Sequence, residues 1–340
     1  MKALSYDDVL LKPQYSDITS RAEIDISTNL GEGLILKTPI LASPMDTVSE
    51  GAMATATGRE GAAAIIHRYN TTEEQMRHIR RAHDIGGDIN IGAAIGVTGD
   101  YLERATGALD AGATFLCIDV AHGHHLLVKS ALHKLRAMLG EDVHIMAGNI
   151  ATLEGFNDLA DWGATSIRCN IGGGSICSTR VQTGHGMPGL QTIIDCAQTD
   201  RDASIVADGG IRNSGDIVKA LAAGADAVMC GSLFAGATEA PGEIFRDTDG
   251  SVWKAYRGMA SKEAQTKWRG QYSSFEGVAS RVPYQGKIAT TMNDLIRGIR
   301  SGFSYSGARS VEELQAKAEF IEQTSSGLSE SHTHILTRKW

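Results

Sequence analysis

The chain has 340 residues, of which 42% are hydrophobic and 21% charged, an ordinary composition for a globular protein with a substantial core. Its net charge of −8 argues against nucleic acid as the main partner, and it contains no apolar run of the length needed to span a membrane. Asp7 and Asp8 stand where a signal peptide would need apolar residues. We therefore expect a cytoplasmic protein with neither a nucleic-acid nor a membrane partner.

Short apolar runs alternate with amphipathic segments along most of the chain. Runs that are almost continuously apolar indicate parallel strands buried on both faces, and amphipathic segments such as 71–83 and 214–223 indicate crossover helices. The pattern predicts an α/β fold, namely a single (β/α)₈ TIM barrel, with a doubly wound open sheet as the alternative. The eight predicted strands lie at 39–42, 62–66, 89–94, 114–118, 143–147, 165–168, 203–207 and 227–230.

Polar residues follow most of these predicted strands. In a barrel of this type the loops after the strands carry the active site. Seven polar clusters at seven corresponding strand ends therefore predict an active site at that end of the barrel. The clusters are 43–46, 67–68, 119–123, 148–149, 172–177, 208–210 and 231–232.

The most informative of these clusters is the glycine-rich loop that ends in Cys177. Three consecutive glycines, Gly172 to Gly174, allow backbone amides to approach a phosphate closely, and they place a thiol beside it. A nearby cation such as Arg180 would favour a reactive thiolate. The alternative is that Cys177 is a buried filler in a turn. The other strand cysteines are expected to be buried hydrophobes, and no disulfide is expected.

The regular alternation lapses over 239–286, and the tail 325–340 is polar. A long polar excursion from a barrel is typical of a catalytic flap, so we expect one domain over 1–340 that carries a flap at 239–286. The histidines at 332 and 334 in the tail are more typical of a solvated surface than of a metal site.

Several motifs together resemble the inosine-monophosphate dehydrogenase and guanosine-monophosphate reductase superfamily, over essentially the whole chain. The family's usual cysteine loop has a proline where Gly173 stands. The matching segments are LSYDDVLLKP at 4–13, SPMDTV at 43–48, GSICSTR at 174–180, ADGGIR at 207–212 and YRGM at 256–259.

The resemblance implies a TIM barrel, a homotetramer, a purine mononucleotide substrate and a nicotinamide cofactor. It also implies that Cys177 attacks the purine C2 to form a covalent adduct, with Thr179 and Glu276 assisting proton transfer. Asp208 would bind the ribose hydroxyls. The implied substrate-binding residues are Ser43, Met45, Ser175, Asp208, Gly210, Gly231, Ser232, Tyr256, Gly258 and Met259, and the implied cofactor-binding residues are Asp119, Ala121 and Asn149.

The resemblance extends to a potassium ion. Residues 329–332 resemble the segment that donates potassium ligands to the cysteine loop of a neighbouring subunit. The implied ligands are Gly172, Gly174 and Cys177 of the loop with Glu330, Ser331 and His332 of the tail.

The two branches of the superfamily differ in how they resolve the adduct. The reductase branch releases ammonia and delivers hydride, whereas the dehydrogenase branch hydrolyses the adduct with the help of an Arg-Tyr pair in the flap. No Arg-Tyr-Phe motif occurs here, and no regulatory domain interrupts the barrel. We expect the reductase branch, in which NADPH reduces GMP to IMP, with NAD-dependent IMP dehydrogenation as the alternative. Two other classes remain. One is a nucleotide sensor in which the thiol chemistry at Cys177 would be idle, and the other is a flavin-dependent oxidoreductase.

Overall fold

Eight parallel strands form a closed barrel in the computed structural model, which describes residues 2–272 and 275–331. Three short strands come first in the chain: β1 (Val9–Leu11), β2 (Thr28–Asn29) and β3 (Ile35–Leu36). The barrel strands pair in chain order, and the last closes onto the first, which confirms the predicted barrel and rules out the open sheet. They are β4 (Ile40–Ala42), β5 (Ala63–Ile66), β6 (Ile91–Ile95), β7 (Phe115–Asp119), β8 (Ile145–Ile150), β9 (Ser166–Cys169), β10 (Ser204–Asp208) and β11 (Ala227–Cys230).

Helices connect successive strands and cover the outside of the barrel. Their ends follow local capping rules: the second helix starts at a Thr71–Glu74 capping box and ends at Gly87, whose φ is +70°. The connecting helices are α1 (Gly51–Arg59), α2 (Thr72–Gly86), α3 (Tyr101–Asp110), α4 (Leu126–Leu139), α5 (Leu153–Asp161), α6 (Thr179–Thr183), α7 (Gly189–Cys196), α8 (Ser214–Ala222) and α9 (Ser232–Ala235).

The predicted flap is an ordered unit, not an irregular excursion. It contains a three-stranded antiparallel sheet of β12 (Ile244–Arg246), β13 (Val252–Arg257) and β14 (Ala279–Pro283), together with α10 (Lys262–Arg269). Its strands are short and partly exposed, so their sequences lack the continuous apolar signal of the barrel strands.

After the flap, α11 (Ile288–Tyr305) and α12 (Val311–Lys317) complete the helical layer. The chain then forms β15 (Phe320–Glu322), which pairs antiparallel with β1, and α13 (Ser325–Glu330). Only five residues separate β6 from α3, so no domain is inserted there. Within the described ranges, no helix is both long and apolar enough to cross a membrane.

Alternating strand residues fill the barrel interior. Leu41, Phe115, Met146 and Met229 are fully buried there, and the β2–β3 hairpin contributes leucines to the same cluster. His144, just before β8, lies 3.0 Å from the carbonyl of Gly31 and 2.8 Å from Ser166 Oγ. The hairpin therefore lies against the end of the barrel where the strands begin, which leaves the opposite end for the functional site.

Candidate active site

A cavity of about 430 Å³ lies where the barrel strands end, beneath the flap. Its lining includes every sequence-predicted site residue of the barrel loops and the flap. The structure thus brings together residues from six barrel loops and the flap. Those of the predicted set that line it are Ser43, Met45, Asp119, Ala121, Asn149, Gly172, Gly174, Ser175, Cys177, Thr179, Asp208, Gly210, Gly231, Ser232, Tyr256, Gly258, Met259 and Glu276.

The Cys177 thiol is exposed to this cavity, whereas the other four cysteines are buried. Its Sγ lies 3.1 Å from Thr179 Oγ1, which in turn donates a 2.8 Å hydrogen bond to Glu276 Oε2. The buried-filler alternative for Cys177 is therefore wrong. The three side chains form a hydrogen-bonded path along which a proton can move between the thiol and a carboxylate.

Backbone hydrogen bonds join the cysteine loop to the flap. The amide of Ser178 donates to the carbonyl of Glu276 at 2.9 Å, and the amide of Val278 donates to that of Ile176 at 3.0 Å. These bonds flank an isolated antiparallel bridge between Cys177 and Gly277. The thiol and the flap carboxylate are thus held by one continuous stretch of backbone pairing.

Arg180 is directed toward carbonyl oxygens of its own loop. Its guanidinium donates to the carbonyls of Ile171 and Met187. Its hydrogen bonds therefore stabilise the shape of the loop. The path from Cys177 leads to Thr179 instead.

The side chain of Asn170 explains the glycine at position 173. A Cβ atom at Gly173 would lie 2.2 Å from Asn170 Nδ2, a distance that excludes a proline unless the asparagine moves. Asn170 Nδ2 donates to the carbonyl of Asp208 at 2.9 Å, so the asparagine ties the cysteine loop to the loop after β10. Asn170 has a φ of +148°, a conformation that favours glycine.

Two carboxylates face the cavity from different strands. Asn149 Nδ2 and Arg168 Nε donate to Asp208 Oδ2 at 2.8 and 3.0 Å, which leaves Oδ1 of Asp208 for a ligand. Arg168 also donates to Asp119 Oδ1 at 2.8 Å. Arg68 approaches the other oxygen of Asp119, with its Nε 3.8 Å away. Carboxylate oxygens placed in this way accept hydrogen bonds from the hydroxyls of a sugar.

Hydroxyl groups and a glycine shape another wall of the cavity. A Cβ atom at Gly231 would lie 2.7 Å from Tyr256 Oη and 3.6 Å from Ser43 Oγ, so glycine keeps this corner open. Burial raises the pKa of Tyr256 to about 12, and a hydrogen bond with Ser175 opposes that rise only in part. The phenol thus remains protonated at neutral pH and can donate to a phosphate, as can the hydroxyl of Ser232.

An ion pair fixes the flap above this wall. Arg257, at the end of β13, donates through Nε to both carboxylate oxygens of Asp46 at 3.1 Å. The amide of Asp46 lies 3.2 Å from Met259 Sδ. The hydrogen bond with Asp46 is the main reason that the pKa of Arg257 is raised. Tyr256 and Met259 therefore reach the cavity from a firmly anchored segment.

The flap helix closes the cavity near Asp119. Trp268 on α10 makes an edge contact with Tyr69, with ring centroids 5.7 Å apart, and Arg68 lies 4.9 Å from the Tyr69 ring. Arg68 Nε and Trp268 Nε1 are buried, and neither has a hydrogen-bond partner among the residues that the structure describes. Both residues line the cavity, so a ligand there can satisfy these donors.

Sequence reasoning missed Arg168 and Trp268 as site residues. The sequence pattern places Arg168 in a strand, and alternation of side chains along β9 turns it into the barrel. The available signal was an arginine in a strand predicted to be buried on both faces, because a buried guanidinium needs carboxylate partners.

The predicted potassium ligands fall into two separate groups. The loop residues line the cavity, whereas Glu330 and Ser331 do not. Ser331 Oγ instead donates to Gln323 Oε1 and to the carbonyl of Gly327, and His332 lies outside the described residues. Over the described ranges, no group of three or more histidine, cysteine or carboxylate side chains has the arrangement of a metal site.

Comparison with known proteins shows what the whole chain resembles. A family model described as the IMP dehydrogenase / GMP reductase domain matches residues 3–334. The inosine-5'-monophosphate dehydrogenase of Cryptosporidium parvum is 36% identical, covering 98% of this chain and 95% of its own length. The GMP reductase of Leishmania major is 31% identical, covering 99% of this chain and 98% of its own length.

A solved structure gives the same result for the fold. The GMP reductase C318A of Trypanosoma brucei, in complex with guanosine 5'-monophosphate, superposes with a TM-score of 0.93 at 30% identity. The match covers 98% of each chain. The barrel and the flap are therefore shared along nearly their whole length.

Proposed function

Because the chain belongs to the IMP dehydrogenase / GMP reductase family, whose members are oxidoreductases acting on purine nucleotides, we propose that it is a GMP reductase. The reaction would be the NADPH-dependent reductive deamination of GMP to IMP and ammonia. Relatives of both names are similarly close, so the proposal rests on the geometry of the site. The observation that carries it is the Cys177–Thr179–Glu276 path, because the amine of GMP needs a proton in order to leave.

The covalent step follows from the direction of these hydrogen bonds. The Cys177 thiol donates to Thr179, and Thr179 donates to Glu276. When Sγ bonds to the purine C2, its proton passes through the Thr179 hydroxyl to the Glu276 carboxylate. The same path returns a proton to the exocyclic amine, the C2–N bond breaks, and ammonia leaves as a neutral molecule.

The second half-reaction restores the free thiol. A reduced nicotinamide, when bound, would supply a hydride to C2, and the C2–S bond would then break with its electron pair remaining on Cys177 Sγ. The product is IMP, and Cys177 takes up a proton again. The oxidised carbon is thus reduced at the expense of the cofactor, and no water is consumed.

The Asp119 end of the cavity fits a nicotinamide nucleotide. Asp119, Ala121 and Asn149 line it, and a carboxylate there can accept ribose hydroxyls. Arg68 Nε and Trp268 Nε1, buried and unpartnered among the described residues, supply donors for the carbonyl or anionic groups of such a cofactor. The purine nucleotide would occupy the Asp208 end, with its phosphate near Gly210, Gly231 and Tyr256.

Several wider expectations belong to the same proposal. They are a single catalytic domain over 1–340, a homotetramer, a cytoplasmic location and a potassium ion at the cysteine loop. Resemblance to the family supports them. In a tetramer the tail could reach the cysteine loop of a neighbouring subunit, which would reunite the two groups of predicted potassium ligands.

One observation favours IMP dehydrogenase as a second candidate. Arg269 of the flap helix lines the cavity, and an arginine in the flap is the residue type that activates water in that branch. The two activities run in opposite redox directions. GMP with NADPH should consume the reduced nicotinamide and release ammonia, whereas IMP with NAD should produce no reduced nicotinamide. Turnover of the second pair alone would exclude the reductase.

The covalent step has its own test. Mass spectrometry of acid-quenched enzyme after incubation with GMP should show a purine adduct on the peptide that contains Cys177. The Cys177→Ser protein should bind GMP but show neither adduct nor turnover. Normal turnover by that variant would rule out the covalent step.

A further inference from the structure

A single buried guanidinium joins the two carboxylates of the cavity. Arg168 is 6% exposed, and it uses Nε for Asp208 and one terminal nitrogen for Asp119. The same terminal nitrogen lies 3.3 Å from Cys117 Sγ. Asp119 and Asp208 belong to β7 and β10, so the arginine spans the cavity floor from one strand to the other.

This arrangement ties Arg168 to both carboxylates at once. Burial alone would lower its pKa, but the neighbouring carboxylates of Asp208 and Asp119 outweigh that effect and the pKa is raised well above its ordinary value. β9 pairs with a strand on each side, which fixes the backbone from which Arg168 projects. The planar guanidinium then sets the angle between its two bonds. A shift of the Asp208 carboxylate should therefore move the guanidinium and, through it, the Asp119 carboxylate.

We propose that Arg168 is a positioning residue that couples the nucleotide subsite at Asp208 to the cofactor subsite at Asp119. The inference rests on the proposed function, which places one ribose at each carboxylate. When hydroxyls of the first ligand bind Asp208 Oδ1, they fix that carboxylate, the guanidinium and Asp119 in one arrangement. The second ligand then finds its carboxylate already ordered and binds more tightly.

Coupling of this kind is reciprocal, because each ligand must change the affinity of the other by the same factor. We expect a factor of about five or more, the lower end of the range for coupled sites. Lysine at this position would keep the positive charge on one nitrogen but lose the two-sided bridge. The Arg168→Lys variant therefore separates charge from geometry.

The experiment is calorimetric titration in the Cys177→Ser background, where the covalent step cannot occur. GMP is titrated into the protein alone and into protein saturated with NADPH, and the ratio of the two dissociation constants gives the coupling factor. The same pair of titrations is made with Arg168→Lys added, and thermal unfolding checks that this protein is folded. Arg104→Lys is the matched control, because Arg104 is 5% exposed and pairs with Asp100 outside the cavity.

The expected result is a coupling factor of about five or more that Arg168→Lys reduces to about one and Arg104→Lys preserves. An unchanged factor in folded Arg168→Lys protein would overturn the inference, as would a factor of one in the Cys177→Ser protein. If Arg168→Lys does not fold, Asp119→Asn replaces it, because it removes the charge at one end of the bridge. Its coupling factor is measured only at NADPH concentrations that a separate titration shows to saturate this variant, and it should be about one. Failure of GMP to bind at all would overturn the proposed function itself, and this inference with it.

Discussion

Thr179 Oγ1 and Glu276 Oε2 are 2.8 Å apart, although 97 positions separate the two residues in the chain. Thr179 begins α6 directly after the cysteine loop, and Glu276 belongs to the flap. The flap therefore completes the proton path from the thiol, because the loop after β9 supplies Cys177 and Thr179 whereas the flap supplies the carboxylate that accepts from Thr179. Chemistry at Cys177 should depend on a residue that the flap delivers.

Glu276→Gln tests this dependence with almost no change of shape. The amide can still accept the hydrogen bond from Thr179, but it cannot take up or return a proton. We expect kcat to fall by roughly 10² to 10⁴, the usual contribution of a positioned acid or base. Steady-state kinetics measure kcat, and GMP titrations measure nucleotide affinity separately.

The control for that prediction is Thr179→Ser, which keeps the hydroxyl and should retain most activity. Thr179→Val, which removes it, should behave like Glu276→Gln. If Glu276→Gln keeps wild-type kcat, the proton must take another path.

Gly173→Pro should disturb the cysteine loop because of Asn170. The new ring carbon would lie 2.2 Å from Asn170 Nδ2. The overlap should cost about 1–3 kcal/mol, as overpacking of a buried site usually does. Asn170→Gly removes the obstructing side chain and suits the positive φ of that residue.

The double variant with both changes should therefore unfold at a higher temperature than Gly173→Pro alone. Thermal unfolding of the wild type, the two single variants and the double variant forms a complete cycle. Additive effects would mean that the two positions do not compete for space.

Gly231→Ala should weaken nucleotide binding through Tyr256. The added methyl group would lie 2.7 Å from the phenol oxygen, so the hydroxyl must leave its place in the cavity wall. We expect KM for GMP to rise about tenfold, equivalent to 1.4 kcal/mol. Tyr256→Phe removes the same hydroxyl and thereby the overlap.

In the Tyr256→Phe background, Gly231→Ala should add little further loss. Initial-rate measurements at varied GMP concentration give the four KM values. A full tenfold loss in both backgrounds would assign the effect to another contact, such as that with Met45 Sδ at 3.3 Å.

His144 should make the fold sensitive to acid. Burial lowers its pKa from 6.5 to about 4, and a hydrogen bond to the Gly31 carbonyl opposes this only in part. Between these two values the unfolded chain binds the proton and the folded chain does not, so stability falls as the pH drops from 6.5 to 4. The shift corresponds to a loss of about 3 kcal/mol at the acid end.

Urea unfolding of the wild type and of His144→Asn at several pH values isolates this contribution. Comparison with the variant is needed because Asp226, whose pKa burial raises to about 6, acts in the opposite direction over part of the range. The wild-type advantage over the variant should shrink as the pH falls. A difference that is constant with pH would show that His144 is not buried in its neutral form.

Sequence patterns predicted the barrel well because its strands are buried on both faces. The apolar run at 62–66, for example, contains β5 almost residue for residue. The internal structure of the flap was not predicted, since in β14 four of five residues are exposed and carry no such signal. The role of Arg168 was missed for a different reason: its partners lie 49 and 40 positions away, and only the closed barrel brings them together.

The pairing of β1 with β15 has a consequence for synthesis on the ribosome. Val9–Leu11 emerges early, but its partner Phe320–Glu322 emerges only after the barrel and the flap. During translation β1 therefore lacks its strand partner until β15 has been synthesised, and an unpaired strand edge is prone to aggregation. This two-stranded sheet can close only after translation has passed Glu322.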